Sequence, residues 1–272
     1  MSGTDGETAA HGQRSYDVRL DWGPTGGAAV ADGADVAVVV DVLSFTTTLT
    51  IAVARGTRVH PFPWKDHRAA AFAREKDAVL AVGRLEARSV PDPPPSLSSA
   101  QLLRAAPVPR LVLPSPNGST ICAALSPVVE VRGAPATSLE TKATVVGASL
   151  RNASAVAEWL APRIAGGARV AFVPAGERWP DGSLRPGLED LWGAGAVLSA
   201  LGPLAGAAVS PEARHAAASY HVLGERLPEA MADCASGREL AAIGFADDVV
   251  AAAEVDADPV VPVLGPDGFV AD

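Results

Sequence analysis

The sequence predicts an α/β protein, a three-layer α/β/α sandwich around a mostly parallel or mixed sheet, and three observations carry that expectation. Short continuous apolar runs, led by Asp35 to Asp41 (DVAVVVD), alternate with longer helical patterns. A strand that is apolar throughout needs cover on both faces. The chain has 272 residues, 48% hydrophobic and 19% charged, which is a globular composition with enough length for a large core. Ser, Thr, Asn and Asp gather where strands give way to helices, where N-caps are expected.

In order, residues 1–15 are polar and glycine-rich and read as a disordered tail, leaving 16–272 as a single domain because no linker divides it. Asp35 to Asp41 is a buried strand and Ser44 to Arg55 a helix; Thr57 to Phe62 is a second strand, Lys65 to Lys76 a second helix, and Ala78 to Val82 a third strand. Further strands are expected at Arg110 to Ser115, Val128 to Val131, Ala143 to Ala148 and Arg169 to Pro174, with helices near Gly118 to Leu125 and Asn152 to Ile164. A helical last third includes Glu189 to Leu201, Pro211 to Leu223 and Phe245 to Glu254. Pro91 to Ser99 (PDPPPSLSS) reads as a surface crossover, because consecutive prolines remove donors and fix φ. Pro174 to Gly187 is longer than a simple turn and reads as a lid or binding loop.

Composition removes several classes of function. With 22 basic against 31 acidic residues the net charge is −9, which disfavours a nucleic-acid partner. No apolar run reaches the roughly 18–20 residues of a membrane span and the start lacks a signal-peptide core, so the expectation is a cytoplasmic protein with no membrane partner. Cys122 and Cys234 are too few for a disulfide scaffold and show no metal spacing, and the five histidines form no ligand cluster. Arginine greatly outnumbers lysine, which reads as codon bias and does not point to phosphate. Oligomeric state is left open, a homo-oligomer included.

Four strand-to-helix junctions concentrate polar groups: Asp41 with Ser44, Thr46 and Thr47; Ser115 to Thr120, with Asn117, Gly118 and Ser119; Ser149 to Asn152; and Ala175-Gly176 followed by Glu189-Asp190. Taken singly, each reads more simply as capping. Together they form an edge where helix N-termini favour an anion, with carboxylates that would attract a cation. Asp41 is the hardest to dismiss, because a carboxylate ending a valine strand risks burial and then needs a partner. Walker, HExxH and GxSxG signatures are absent, and Gly193-Ala194-Gly195 follows an acidic pair rather than a strand, which sets a nicotinamide enzyme aside. Oxygen ligands without histidine suit a hard cation such as Mg²⁺.

These junctions, in this order, resemble the 2-phosphosulfolactate phosphatase family, Mg²⁺-dependent hydrolases named for a step of coenzyme M biosynthesis. Val38 to Leu49 (VVVDVLSFTTTL) is similar to its DxLRAxTT-like motif and Asn117-Gly118-Ser119 to its NGT motif. Ala148 to Asn152 is similar to its GSxxN-like segment, and Ala175-Gly176 with Gly187 to Gly195 to its AG turn and SLEDxxxAG run. The likeness spans about residues 16–264. Two departures stand out: Ser44 is where the family motif has arginine, and Arg84 is where it has the glutamate of a GGE turn.

The resemblance implies Mg²⁺-dependent hydrolysis of a small phosphorylated 2-hydroxy acid. It implies Asp41, Asn117, Glu189 and Asp190 as catalytic residues, with Asp41, Glu189 and Asp190 holding the metal or orienting water. Ser44, Thr46, Thr47, Gly118, Ser119, Ser149, Arg151, Asn152 and Gly176 are the expected substrate-binding set, with Arg151 replacing the missing cation. Asp41 as a nucleophile forming an aspartyl phosphate stays open beside Asp41 as a ligand. The competing expectation is a non-catalytic member that binds an anionic metabolite.

Overall fold

The computed structural model describes residues 10–63, 67–126, 143–203 and 206–272. Within them nine strands form one sheet, in the order β1 (Val18–Leu20), β7 (Val170–Pro174), β2 (Val36–Val40), β6 (Thr144–Ala148), β10 (Pro262–Gly265), β11 (Gly268–Ala271), β3 (Arg58–Phe62), β5 (Arg110–Pro114) and β4 (Val79–Leu80). The sheet is mixed. β1, β7, β2 and β6 run parallel, as do β3, β5 and β4, and the hairpin β10–β11 joins the two groups through antiparallel pairings.

The period-2 alternation of β2 explains both cover layers. Val36, Val38 and Val40 face one cluster with α7 (Ala153–Ala165), α8 (Leu188–Leu201), α9 (Pro211–Leu223) and residues of α10 (Leu227–Asp233), α11 (Ala235–Ala242) and α12 (Ala246–Ala252). Ala37 and Val39 face the other, with α1 (Gly23–Ala31), α2 (Phe45–Ala54), α5 (Ser99–Arg104) and α6 (Gly118–Leu125). The expected three-layer sandwich is therefore present, and every residue of β2 is buried. α3 (His67–Glu75) packs Ala69 and Ala73 against Phe62 and Val112.

Three antiparallel joints separate β2 from β5, so in a flat sheet their carboxyl ends would lie at opposite edges. Yet Gly118, just after β5, hydrogen-bonds to Asp41, just after β2. Twist turns the two strand directions towards each other, and the sheet must also curl, since five steps of about 4.8 Å separate them. Five inter-strand steps at roughly 20–25° each turn the strand direction by about 100–125°, most of the way back.

Several elements differ from expectation. The expected strand at Val128 to Val131, residues 1–9 of the tail, and residues 64–66 near the start of the second helix lie outside the described residues. Residues 10–15, expected to be part of the tail, form a turn tied to β1, where Gln13 donates to Leu20 O at 2.8 Å and accepts from Leu20 N at 3.1 Å. The proline loop does not stay on the surface: Ser96 to Ser99 are buried, and the Ser98 hydroxyl caps α5. The long loop folds as a small hairpin, β8 (Glu177–Arg178) with β9 (Leu184–Arg185). Gly193 and Gly195 serve close packing: a Cβ there would stand 2.6 Å from Val42 and 2.3 Å from Ala216 O. No helix among the described residues is long and apolar enough to cross a membrane.

Candidate functional site

Asp41 leaves the carboxyl end of β2 and is buried, with both oxygens in use. Oδ1 accepts from Phe45 N at 3.1 Å, at the start of α2, and Oδ2 accepts from Gly118 N at 2.8 Å. Asp190, on the first turn of α8, does the same for two other segments: Oδ1 accepts from Val42 N at 2.7 Å and Oδ2 from Gly176 N at 2.8 Å. Asn117 then reaches the hairpin, donating to Glu177 Oε2 at 2.9 Å. Three of the four expected junctions are thus clasped together around Asp41, Asn117, Glu177, Glu189 and Asp190.

Glycines make these contacts sterically accessible. A Cβ on Gly118 would lie 2.4 Å from the Phe45 ring and 2.7 Å from Asp41 Oδ2, and one on Gly187 would lie 2.7 Å from Glu189 Oε1. Gly176 has φ +64°, a conformation that disfavours side chains.

The electrostatics are those of four carboxylates in a confined space. Burial raises the Asp41 carboxyl and Glu189 adds to the rise, while the Phe45 and Gly118 amides and the Arg84 charge oppose it. Asp190 is pushed well above the ordinary carboxylate range by burial, then by Glu189 and Asp41, against the pull of the Val42 and Gly176 amides. Glu177 is raised to about 7, first by burial and then by Asp41, with the Asn117 amide opposing. Glu189 lies against the Cys234 thiol, which is raised to about 11, first by burial and then by that carboxylate.

The sequence missed Glu177. Its signal was a carboxylate directly after the Ala175-Gly176 turn, at the head of the long loop. Beside it lies a cavity of about 270 Å³ lined by Asn117, Glu177, Arg178 and Trp22.

Other expected residues take different work. Thr46 and Thr47 donate to Asp41 O and Val42 O, both at 2.8 Å, and Ser119 donates to Leu113 O at 2.8 Å. A fully buried helix must satisfy its hydroxyls internally, and these threonines bond to carbonyls four or five residues back or nearby. Their hydroxyl hydrogens are used within the fold, where a substrate contact was expected. The amides of Gly118 and Gly176 are likewise occupied, by Asp41 and Asp190.

The junction Ser149 to Asn152 reaches the helix after Asp41, where Ser149 Oγ lies 3.4 Å from Thr50 Oγ1, but among the described residues it makes no hydrogen bond to the four carboxylates. Ser149 and Asn152 form a reciprocal capping box, with Asn152 Nδ2 also donating to Val260 O at 3.0 Å. Arg151, expected to meet the substrate, is also engaged within the fold. Its guanidinium is buried against Asp258 (Nε to Oδ2, 2.6 Å), Glu254 and Ala251 O (2.7 Å), so it braces the segment after α12.

The expected metal set of Asp41, Glu189 and Asp190 is not preassembled. Among the described residues no three His, Cys, Asp or Glu side chains come together as a metal cage. The reason is visible in Asp190, which turns both oxygens to backbone amides. Ser44, the expected anion contact, accepts a hydrogen bond from Arg84 Nη2.

No curated protein matches the chain. The family model described as 2-phosphosulpholactate phosphatase matches residues 133–266, a stretch holding Gly176, Glu177, Glu189 and Asp190 but not Asp41, Arg84 or Asn117. Over those residues the chain carries the pattern of the 2-phosphosulpholactate phosphatase family, the same family that the motifs resemble.

Proposed function

We propose that the protein is a magnesium-dependent phosphomonoester hydrolase that acts on a small phosphorylated 2-hydroxy acid, with 2-phosphosulfolactate cleaved to sulfolactate and phosphate. The observation that carries this reading is the gathering of Asp41, Glu177, Glu189 and Asp190 where three strand-to-helix junctions meet, on a chain matched to a phosphatase family. Burial and neighbouring negative charge raise Asp41, Glu177 and Asp190, and a cation relieves such a site.

Magnesium is commonly held by one or two carboxylates, with water and phosphate oxygens completing its shell. That requirement fits Glu189, with Asp41 and Asp190 acting as the clasps that fix the surrounding backbone. When bound there, the metal would neutralise phosphoryl charge. Asn117 orients the Glu177 carboxylate, which borders the cavity. Glu177 takes a proton from the attacking water and returns it to the ester oxygen as the P–O bond breaks, releasing the alcohol and phosphate. Direct attack by water is favoured over an aspartyl phosphate, because both Asp41 oxygens already hold amide hydrogens that lower their nucleophilicity.

A second reading, an anion-binding member without turnover, is favoured by the lack of a preassembled metal cage among the described residues, with Arg84 rather than a glutamate beside Ser44. Phosphate release from 2-phosphosulfolactate, measured with Mg²⁺ and then with EDTA, separates the two. Release that stops in EDTA and returns with Mg²⁺ supports the hydrolase. Ligand-induced thermal stabilisation without release supports the binder and removes the first reading.

A further inference from the structure

Arg84 opens α4 (Arg84–Arg88), and its side chain is held from two directions. Nε donates to Asp248 Oδ2 at 2.8 Å, and Nη2 donates to Ser44 Oγ. Asp248 is itself buried and fixed, accepting from Ser98 Oγ at 2.6 Å and Ala100 N at 3.1 Å through its other oxygen. The guanidinium is therefore preorganised by a carboxylate that cannot swing away.

Its remaining edge is open. Nη1 has no partner among the described residues, and the side chain is 16% exposed. Arg84 lines a cavity of about 260 Å³ together with Arg88, Arg104, Asp247 and Asp248. Arg88 and Arg104 are engaged with Ile243 O, Gly244 O and Asp247, but add positive field to that wall. Through Ser44, three residues from Asp41, the guanidinium also sits near the carboxylate cluster, and its charge is felt at Asp41. A cation clamped at one edge, open at the other and beside the carboxylate cluster has the form of an anion receptor.

The geometry points to Arg84 as the residue that binds the acid group of the substrate, a carboxylate or sulfonate, through its free Nη1 edge. Position 44 would then need no cation of its own, because Ser44 accepts from the arginine that supplies one. The inference rests on the phosphatase reading and deepens it: a phosphorylated acid is selected over a neutral phosphate ester because its second anion is paired at Arg84. Without the arginine that anion would enter beside the Asp248 carboxylate unpaired.

The test compares kcat/KM for a phosphorylated 2-hydroxy acid and for a neutral phosphomonoester of similar size, in wild type, Arg84→Ala and Arg84→Lys. A charge-assisted fork lost from one substrate only predicts that the acid ester loses about 10- to 100-fold more than the neutral ester, mainly through KM. Equal losses on both esters overturn the inference. Arg84→Lys keeps a cation beside Asp248, so it carries the comparison where Arg84→Ala does not fold. If wild type hydrolyses neither ester, the phosphatase reading fails separately. The inference is then read from equilibrium binding of sulfolactate: binding at least about tenfold weaker in Arg84→Lys upholds it, and unchanged binding overturns it.

Discussion

Replacing Glu177 with Gln isolates the ionisation of the one carboxylate that borders the Asn117 cavity. Glutamine keeps an oxygen for the Asn117 Nδ2 hydrogen bond and matches the protonated acid in shape. The folded carboxyl ionises near 7 rather than 4.5 because burial, and then Asp41, disfavour its charge. The folded protein therefore binds this proton more tightly than the unfolded chain. Stability from the group is full below pH 4.5, declines as pH rises and is lost above about 7. At roughly 1.4 kcal/mol per pH unit the whole effect is about 3 kcal/mol. Urea unfolding in EDTA should find Glu177→Gln more stable than wild type by about 3 kcal/mol at pH 8, and by less than about 1 kcal/mol at pH 5. Turnover should fall about 10²- to 10⁴-fold, and the acid limb of the wild-type rate profile should disappear with it, its midpoint lying below the metal-free value because Mg²⁺ offsets the Asp41 charge. A stability difference equal at both pH values, or a variant less stable at pH 8, would refute the assignment of a buried, repelled carboxylate.

Four further outcomes follow from the same geometry. Arg151→Ala should lower stability by about 3 kcal/mol by stranding Asp258, with substrate KM changing by less than about twofold; a larger KM rise would return Arg151 to the site. Gly118→Ala drives a methyl into Phe45 and Asp41 and should cost about 1–3 kcal/mol in urea unfolding, together with activity; a neutral result would mean the clasp yields freely. His60 is buried with Nε2 unpartnered among the described atoms, and burial followed by the Lys76 charge lowers its pKa to about 4. The unfolded imidazole binds its proton more tightly, so stability drains as pH falls from 6.5 towards 4, and His60→Leu should flatten that limb in melting curves taken between pH 7.5 and 5. Calorimetric titration of Mg²⁺ should show binding that Glu189→Gln weakens, whereas equal affinity in wild type and variant would move the metal away from Glu189.

The long buried strands and amphipathic helices were legible because their pattern is local: DVAVVVD, and the periodic faces near Gly118 to Leu125 and Pro211 to Leu223, need no partner to be recognised. Three-residue β1 and the two-residue strands of the β8–β9 hairpin carry too little pattern to be read. The C-terminal hairpin did carry a signal, Pro266-Asp267-Gly268 between apolar runs, that the reading passed over. At the candidate site, Asp41, Asn117, Glu189 and Asp190, which the fold brings together, were legible because they sit at junctions. Which hydroxyls and amides would face inward was not legible. That depends on long-range hydrogen bonds such as Asp190 to Val42, 148 residues apart, and Arg84 to Ser44, 40 apart.

The hairpin β10–β11 bears on the history of the fold. Its residues come last in sequence order among the nine strands, yet they occupy the fifth and sixth places in the sheet. During synthesis the two parallel groups would emerge with unpaired edges facing each other, each a template for misplaced pairing. The sheet that carries Asp41 on one group and Asn117 on the other becomes continuous only when residues 262–271 thread between them. Assembly of the carboxylate cluster is thereby linked to the arrival of a keystone far from it in sequence, and a short deletion there should divide the molecule rather than trim it.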